Sequence, residues 1–488
     1  MLFNTIDFIL FFIFVLSLII VIRYRKFQHF LLLVSSYFFF YYTRNHLIIL
    51  LIFSTVLDFY IGKAVANTQN SVRKKILLII SLIGNLGLLG FFKYADFAIL
   101  QFNILGNEFN FNSEIPLLNL VLPIGISFYT FQTISYTVDV YRGIIAPSKS
   151  LREFALFVSF FPQLVAGPIV RAKDFLPQLR EKLENFDSNN LKLIVIKNPN
   201  LKLGITIMIF GFFKKMFFAD NIAPLVNEIF LNPYGLDSFT IILGAIAFGI
   251  QIYGDFSGYS DIAIGAALIL GFKLPINFNK PYFATSPSDF WRRWHISLSS
   301  WLRDYLYIPL GGSKKSSGRT YFNLITVMFL GGLWHGASWN FVIWGLLHGT
   351  YLTVHRLIEK MCPTFSINPF FRTKLGKFIS ILITQYFVFL AWIPFRVQDT
   401  DAMIYSITKY VILDFQIDET IEFILLHKLS FSIMILFIII NLLVLKLDLK
   451  NSISNLNLKY WTVFMIIPIT LILLFYDSTP NDFIYFQF

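Results

Sequence analysis

Cysteine is almost absent from this chain: Cys362 is the one thiol in 488 residues. That excludes an intrachain disulfide and any multi-cysteine metal site, and it leaves the redox compartment undetermined. Charge is thin as well, at 14% of residues against 56% hydrophobic, too little to coat a water-soluble fold. No Walker or dinucleotide fingerprint stands between a strand and a helix, so a nucleotide-driven engine has no support. A Gly-x-Ser-x-Gly elbow is missing too, which removes the local signature of a serine hydrolase. No inverted or parallel repeat relates the two halves, which weakens a secondary-transporter reading. The net charge of +12 does not point to nucleic acid, because Lys and Arg of an apolar chain gather in cytoplasmic loops against anionic membrane lipids.

What is present is apolar sequence. With a mean hydropathy of +0.67, the chain needs a bilayer as its solvent, and its apolar windows of about twenty residues leave room for roughly eleven spanning helices. The expected fold class is therefore all-α, a polytopic integral membrane protein with re-entrant or interfacial helices beside the spans. The first window, residues 8–22, has no basic residue before it and no small-residue cleavage site after it, and reads as a retained span. Basic residues mark alternate loops: Arg23, Arg25 and Lys26; Lys63, Arg73, Lys74 and Lys75; Arg142, Lys149 and Arg152; and a dense set over residues 171–202. These loops are expected in the cytoplasm, with residues 103–114 and the N-terminus on the other side. The stretch 154–170 is broken by Pro162 and by Gly167-Pro168, which suits a re-entrant segment buried in protein better than a span in lipid.

Polar residues are rare in the windows yet crowd into a central stretch, about 251–350. Asp255, Asp261, Asn279, Asp289, Arg292, Arg293, His295, Arg303, Asp304, His335 and His348 all fall there. Buried, each costs on the order of several kcal/mol unless paired or used. Ser286-Pro287-Ser288-Asp289 offers a helix start: serine N-cap, proline at the first position, acid at the third. From there Trp291, Trp294, His295, Leu298, Trp301, Leu302 and Tyr305 share one face at helical spacing. An interfacial helix with belt tryptophans explains that face as well as a site does, but an imidazole among the aromatics turns inward and favours proton handling. His335, in Gly331-Gly332-Leu333-Trp334-His335-Gly336, sits at membrane depth, where a histidine is a functional candidate by default. His348 follows by nearly four turns and either shares that cavity or packs, while His29, His46, His355 and His427 lie near window ends and read as interfacial.

An imidazole near pKa 6.5 can take a hydroxyl proton as the oxygen attacks an activated carbonyl and return it to the leaving group. The candidate catalytic residues are therefore His335 and His295. Arg292, Arg293 and Arg303, with Trp291, Trp294 and Trp334, are candidates for holding substrate or steadying charge. Asp255 and Asp261 are candidates for ordering the site, although hydrogen bonding within the bundle is the more frequent role of such acids. Arg171, Lys173, Lys214 and Lys215 are candidates for a basic cytoplasmic mouth.

These residues fall in blocks. They are Leu122-Pro123-Ile124-Gly125-Ile126-Ser127-Phe128-Tyr129-Thr130-Phe131-Gln132, Asp139-Val140-Tyr141-Arg142-Gly143, residues 161–169, Gly211-Phe212-Phe213-Lys214-Lys215, residues 255–261, residues 290–299, Leu333-Trp334-His335-Gly336 and the terminal residues 483–488. In that order they resemble the membrane-bound O-acyltransferases, and within them the bacterial alginate O-acetyltransferase-like branch. The resemblance implies one membrane-embedded domain over residues 1–488, with helices around a central tunnel in the inner membrane. It implies His335 as the catalytic histidine and His295 as part of a second motif. No bound cofactor is implied. Acetyl-CoA would be the donor, a periplasmic acetyltransferase the partner, and a cell-surface polysaccharide such as alginate or peptidoglycan the final acceptor. A D-alanyl transferase for teichoic acids, using a carrier protein, is the rival within the family, and a polytopic transporter the rival outside it. Residues 181–202, charged and rich in asparagine, look like an insertion in a cytoplasmic loop.

Overall fold

In a computed structural model, the described residues are 1–22, 24–43, 47–109, 114–123, 125–164, 167–183, 198–362, 369–476 and 483–484. His46, Ile124, most of the charged loop 181–202, part of the 103–114 segment, residues 165–166 and residues 485–488 lie outside them. Among the described residues every regular element is helical. By internal contacts the chain divides into two compact units, Met1–Ile205 with Ile262–Pro275, and Thr206–Asp261 with Ile276–Phe488.

The first unit holds α1 (Ile6–Val21), α2 (Arg25–Thr43), α3 (Ile48–Asn67), α4 (Ser71–Glu108), α5 (Ile126–Tyr141), α6 (Leu151–Ser159), α7 (Phe161–Leu164), α8 (Ala172–Leu183) and the start of α9 (Asn198–Phe212). Asn70 starts α4 by accepting from the backbone N–H groups of Val72 and Arg73, as an N-cap should. The helix then runs 38 residues, carrying 103–108 where the sequence suggested loop. Polar residues bind α3, α4 and α5 together. Buried Asp58 accepts from Thr137 Oγ1 at 2.7 Å, from Asn85 Nδ2 at 2.6 Å and from Ser81 Oγ, so both carboxylate oxygens are satisfied. The broken stretch 154–170 forms the body of α6, the single turn α7 and an extended piece, and all its described residues are buried; Ser159 ends α6 and Phe160 turns the chain. His29 is also buried, not interfacial as its position suggested, and beside α6 the Glu153 carboxylate faces Arg180. Burial alone would raise Glu153, but Arg180, Ser148 and the Lys149 N–H hold its carboxyl below the ordinary value.

The second unit holds the rest of α9, a π-helical segment Phe213–Ala219, α10 (Asp220–Leu231), α11 (Ser238–Ile269) as far as Asp261, α12 (Pro287–Arg293), α13 (Ile296–Leu302), a second π segment Arg303–Tyr307, α14 (Ser317–His335), α15 (Trp339–Met361), α16 (Lys374–Arg396), α17 (Thr400–Val411), α18 (Ile417–Leu426), α19 (Lys428–Leu443), α20 (Leu449–Ser454) and α21 (Leu458–Leu474). Among the described residues α3, α4, α11 and α16 are long and apolar enough to cross a membrane; α18 and α19, bent by 91°, pass that test as a pair. The shorter α1 and α21 are apolar as well.

Glycine sets the closest helix pair. On α14 and α15, a Cβ at Gly345 would stand 2.4 Å from the Met328 carbonyl oxygen, and one at Gly332 would stand 2.2 Å from that of Phe341. The two backbones therefore touch, as small residues allow in membrane helix pairs, and the contact fixes where His335 and His348 each pack on Trp344. Gly345→Ala is expected to cost about 1–3 kcal/mol through overpacking, read as a lowered unfolding midpoint in detergent. Gly90→Ala on α4, where a Cβ meets nothing within 4 Å, should leave the midpoint unchanged or higher. Equal midpoints for the two variants would mean that the α14–α15 contact is slack.

Candidate active site

Ser286 caps α12 as expected, accepting from the Asp289 N–H, with Pro287 at the first position. The continuous amphipathic helix does not follow. The chain breaks at Trp294 and His295, and His295 adopts φ 41° and ψ 54°, left-handed, before α13 starts. A left-handed non-glycine residue costs about 1 kcal/mol or more and persists only where its surroundings hold it. Here the holder is the segment before α12. Asn279 N–H donates to the Arg293 carbonyl and Ile296 N–H to the Asn277 carbonyl, each at 2.9 Å.

Asn277 also determines the protonation of His295. Its Nδ2 donates to Ser260 Oγ at 3.1 Å, while its Oδ1 accepts from the Ser297 N–H at 3.3 Å and Ser297 Oγ at 2.9 Å. The backbone N–H can only donate, so the atom facing His295 Nδ1 at 3.2 Å is the acceptor oxygen. Nδ1 must therefore carry the hydrogen, and the lone pair lies on Nε2. Nε2 is buried and has no hydrogen-bond partner among the described residues. Burial also holds the imidazole far below its ordinary value, at about 3, against a smaller opposing backbone hydrogen bond. His295 is a neutral ring with an open acceptor.

His335 ends α14, buried, with its ring 4.8 Å from Trp344, 5.1 Å from Phe395 and 5.1 Å from Trp334. Trp334 also reaches His295, at 6.1 Å. The two candidate histidines thus flank one indole. His348, left open between packing and function by its spacing, joins the cluster. Its ring lies 4.8 Å from Trp344, 5.1 Å from Trp291 and 5.9 Å from Phe290, on which it stacks. Trp294 stacks on Phe290 at 5.6 Å and meets Trp392 at 4.9 Å. The cluster is thus a tryptophan cage holding three imidazoles.

The charged candidates have other partners. Asp255 pairs with Lys215 at 3.0 Å and accepts from the Ile484 N–H at 2.7 Å, and Lys215 also pairs with Asp220 at 2.8 Å. Asp261 is bound by Lys214 and Lys450, both at 2.6 Å. Lys214 and Lys215 are thereby neutralised inside the protein and do not form a basic mouth. Arg293 pairs with Asp289 at 2.9 Å and Arg303 with Asp304 at 2.7 Å, whereas Arg292 is exposed. Arg303 stands on the second π segment, at the rim of a cleft of about 240 Å³ lined by Ser299, Tyr307, Val327, Met328 and Arg356, with Trp291 at its inner wall. Interruptions of this kind often accompany sites.

The bond to Asn277 carries a consequence for pH. In Asn277→Asp a carboxylate beside Nδ1 favours the imidazolium, so the His295 pKa rises toward the working range and its acceptor lone pair is lost as pH falls. Acyl-transfer rates of the variant between pH 5.5 and 8 should gain an acidic limb that the parent lacks. Superimposable profiles would show that the open Nε2 has no part in the reaction.

Comparison with known proteins fits this site. Residues 145–392 match the family model of the membrane-bound O-acyltransferases, a range that includes both histidines and His348. The chain is 39% identical over 373 residues to the peptidoglycan O-acetyltransferase of Helicobacter pylori, covering 72% of this chain and 67% of that one. It is 41% identical over 352 residues to the probable alginate O-acetylase of Azotobacter vinelandii, covering 72% and 65%. The teichoic acid D-alanyltransferase of Bacillus subtilis is more distant, at 29% over 284 residues and 55% of this chain. These matches span about two thirds of the relatives' length. With all three imidazoles and the tryptophans around them inside the matched range, the chain belongs to the membrane-bound O-acyltransferase family.

Proposed function

We propose that the chain, acting as one membrane-embedded enzyme of the inner membrane, transfers acetyl from cytoplasmic acetyl-CoA toward O-acetylation of a cell-surface polysaccharide. A periplasmic acetyltransferase completes the transfer. The observation that carries this reading is the placing of His295 and His335 on either side of Trp334, in a chain similar to proteins named for acetylating peptidoglycan and alginate. The alanyl-transfer reading shares the histidines but has the weaker similarity.

In the proposed step an acceptor hydroxyl gives its proton to the His335 imidazole as its oxygen bonds to the thioester carbonyl carbon. The C–S bond then breaks, and the proton passes to the departing thiolate. His295 cannot donate from Nε2 in its neutral form, so it serves as an acceptor that orients a hydroxyl and not as an oxyanion donor. The tryptophans and Phe395 keep water from the thioester. Arg303, at the cleft rim beside Asp304, suits an anionic donor better than Arg292 or Arg293. Asp255 and Asp261 act through structure, by fixing α11 to the π segment that carries Lys214 and Lys215.

The test is transfer of labelled acetyl from acetyl-CoA in membranes that contain this chain and its secreted acetyltransferase. His335→Ala at equal expression should lower the rate by about 10²- to 10⁴-fold, the usual worth of a general base. A rate equal to the parent's would remove His335 from the chemistry, and no transfer by either protein would direct attention to carrier-bound donors.

A further inference from the structure

Acyl transfer through His335 leaves one developing charge without a holder. When the acceptor oxygen bonds to the thioester carbon, the π pair of the C=O bond moves onto the carbonyl oxygen. In a dry aromatic cage that oxyanion is costly unless a fixed donor points at it. The arginines of the central stretch do not supply one: Arg293 is paired with Asp289 at 2.9 Å and Arg303 with Asp304 at 2.7 Å, and Arg292 is exposed. Nor does His295, whose Nδ1 faces Asn277 and whose Nε2 therefore presents a lone pair.

Indole supplies what the cations do not. An indole N–H can only donate, and a buried one normally has an acceptor; left unmade, the bond costs about 1–3 kcal/mol. In the cage Trp291 and Trp344 each keep a buried Nε1 with no hydrogen-bond partner among the described residues. Trp344 has the place beside the base. It is 1% exposed, and its ring meets His335 at 4.8 Å with an interplanar angle of 85°. The same ring meets His348 at 4.8 Å and stacks on Trp392 at 6.2 Å. Its position is set by packing on several sides: the next residue, Gly345, lies against the Met328 carbonyl of α14, and Phe395 of α16 packs on the indole at 5.3 Å. A donor fixed in this way before the reaction loses nothing to reorganisation as the charge develops.

We propose that Trp344 is a further catalytic residue, its Nε1–H donating to the acyl carbonyl oxygen as that oxygen gains charge while His335 holds the acceptor's proton. On collapse the electron pair returns to re-form C=O, the C–S bond breaks, and the thiolate takes the proton from His335. Trp344 ends as it began and transfers no proton. The assignment rests on the acyl-transfer step described above for His335 and adds the donor which that step requires. His348, packed on the same indole, holds the ring in place.

The experiment measures acetyl transfer by the full-length chain in membranes with its secreted acetyltransferase. Two donors are compared: acetyl-CoA, and S-acetyl-N-acetylcysteamine, a minimal thioester without nucleotide or carrier. Two variants delete the N–H. One is Trp344→Phe; the other replaces the Trp344 indole by benzothiophene, introduced as benzothienylalanine, which keeps the bicyclic ring and puts sulfur where the N–H stood. Both should lower kcat about 10²- to 10³-fold, the usual worth of one oxyanion donor, with KM for the thioester changed by less than about twofold. The unfolding midpoint of the benzothiophene variant should equal the parent's. A benzothiophene variant that works at the parent's rate would overturn the assignment and leave Trp344 a packing residue, whatever Trp344→Phe does. A higher KM at constant kcat would overturn it as well, because that marks ground-state binding. The expected loss with the minimal thioester, while acetyl-CoA gives no label even with the parent, would keep Trp344 and reject the acetyl-CoA reading. No transfer from either donor by the parent would overturn both.

Discussion

The close approach of α14 and α15 is the constraint on which the site depends. Gly332 and Gly345 bring backbone against backbone, where any Cβ would collide with a carbonyl oxygen. With the axes that near, His335 at the end of one helix and His348 inside the other both press on Trp344. The same pairing brings the start of α14 beside the end of α15, where Lys360 reaches Ser317. The placing of the histidines at one end and of cationic side chains at the other thus follows from one van der Waals contact, the kind of packing that replaces hydrophobic drive between helices in a bilayer.

His295 is fixed by a different means. It sits at a helix break in a strained left-handed conformation, and Asn277 holds both its backbone neighbour and its ring. The strain aims an imidazole that a continuous helix would have laid on the aromatic face. Because the same amide oxygen also accepts from Ser297, the tautomer follows from hydrogen bonding, and the open nitrogen is the one directed away from Asn277. Strain held by a hydrogen-bond network in this way is a common mark of a functional residue.

Buried charge supports the scaffold. The π segment Phe213–Ala219 presents Lys214 and Lys215 to Asp261 and Asp255 of α11, and Gly258 lets that helix approach closely, since a Cβ there would stand 2.7 Å from the Gly211 carbonyl oxygen. Asp255 also receives the Ile484 N–H, while the neighbouring Phe483 ring packs on Tyr259 at 4.3 Å, so the carboxylate ties a late segment of the chain to a central helix. Removing one member of such a set leaves an uncompensated charge, which costs far more than the intact pair contributes.

The sequence by itself determined the helical membrane class and the family and singled out two histidines as candidates, because apolar windows, punctuating basic loops and ordered blocks are properties of composition and spacing. It also placed the start of α12, since capping is local chemistry around Ser286. It misjudged what depends on neighbours distant in sequence. Helical periodicity cannot reveal that Asn277 pulls the chain out of helix at His295, nor that Lys214 and Lys215 meet acids 40 or more positions away instead of solvent. Nor could it choose between packing and participation for His348, or place Trp344 against His335, because those rings become neighbours only when two helices meet at glycine. Local rules fix where helices begin and which faces are apolar; tertiary contacts alone decide which polar atoms find partners and which are left for a substrate.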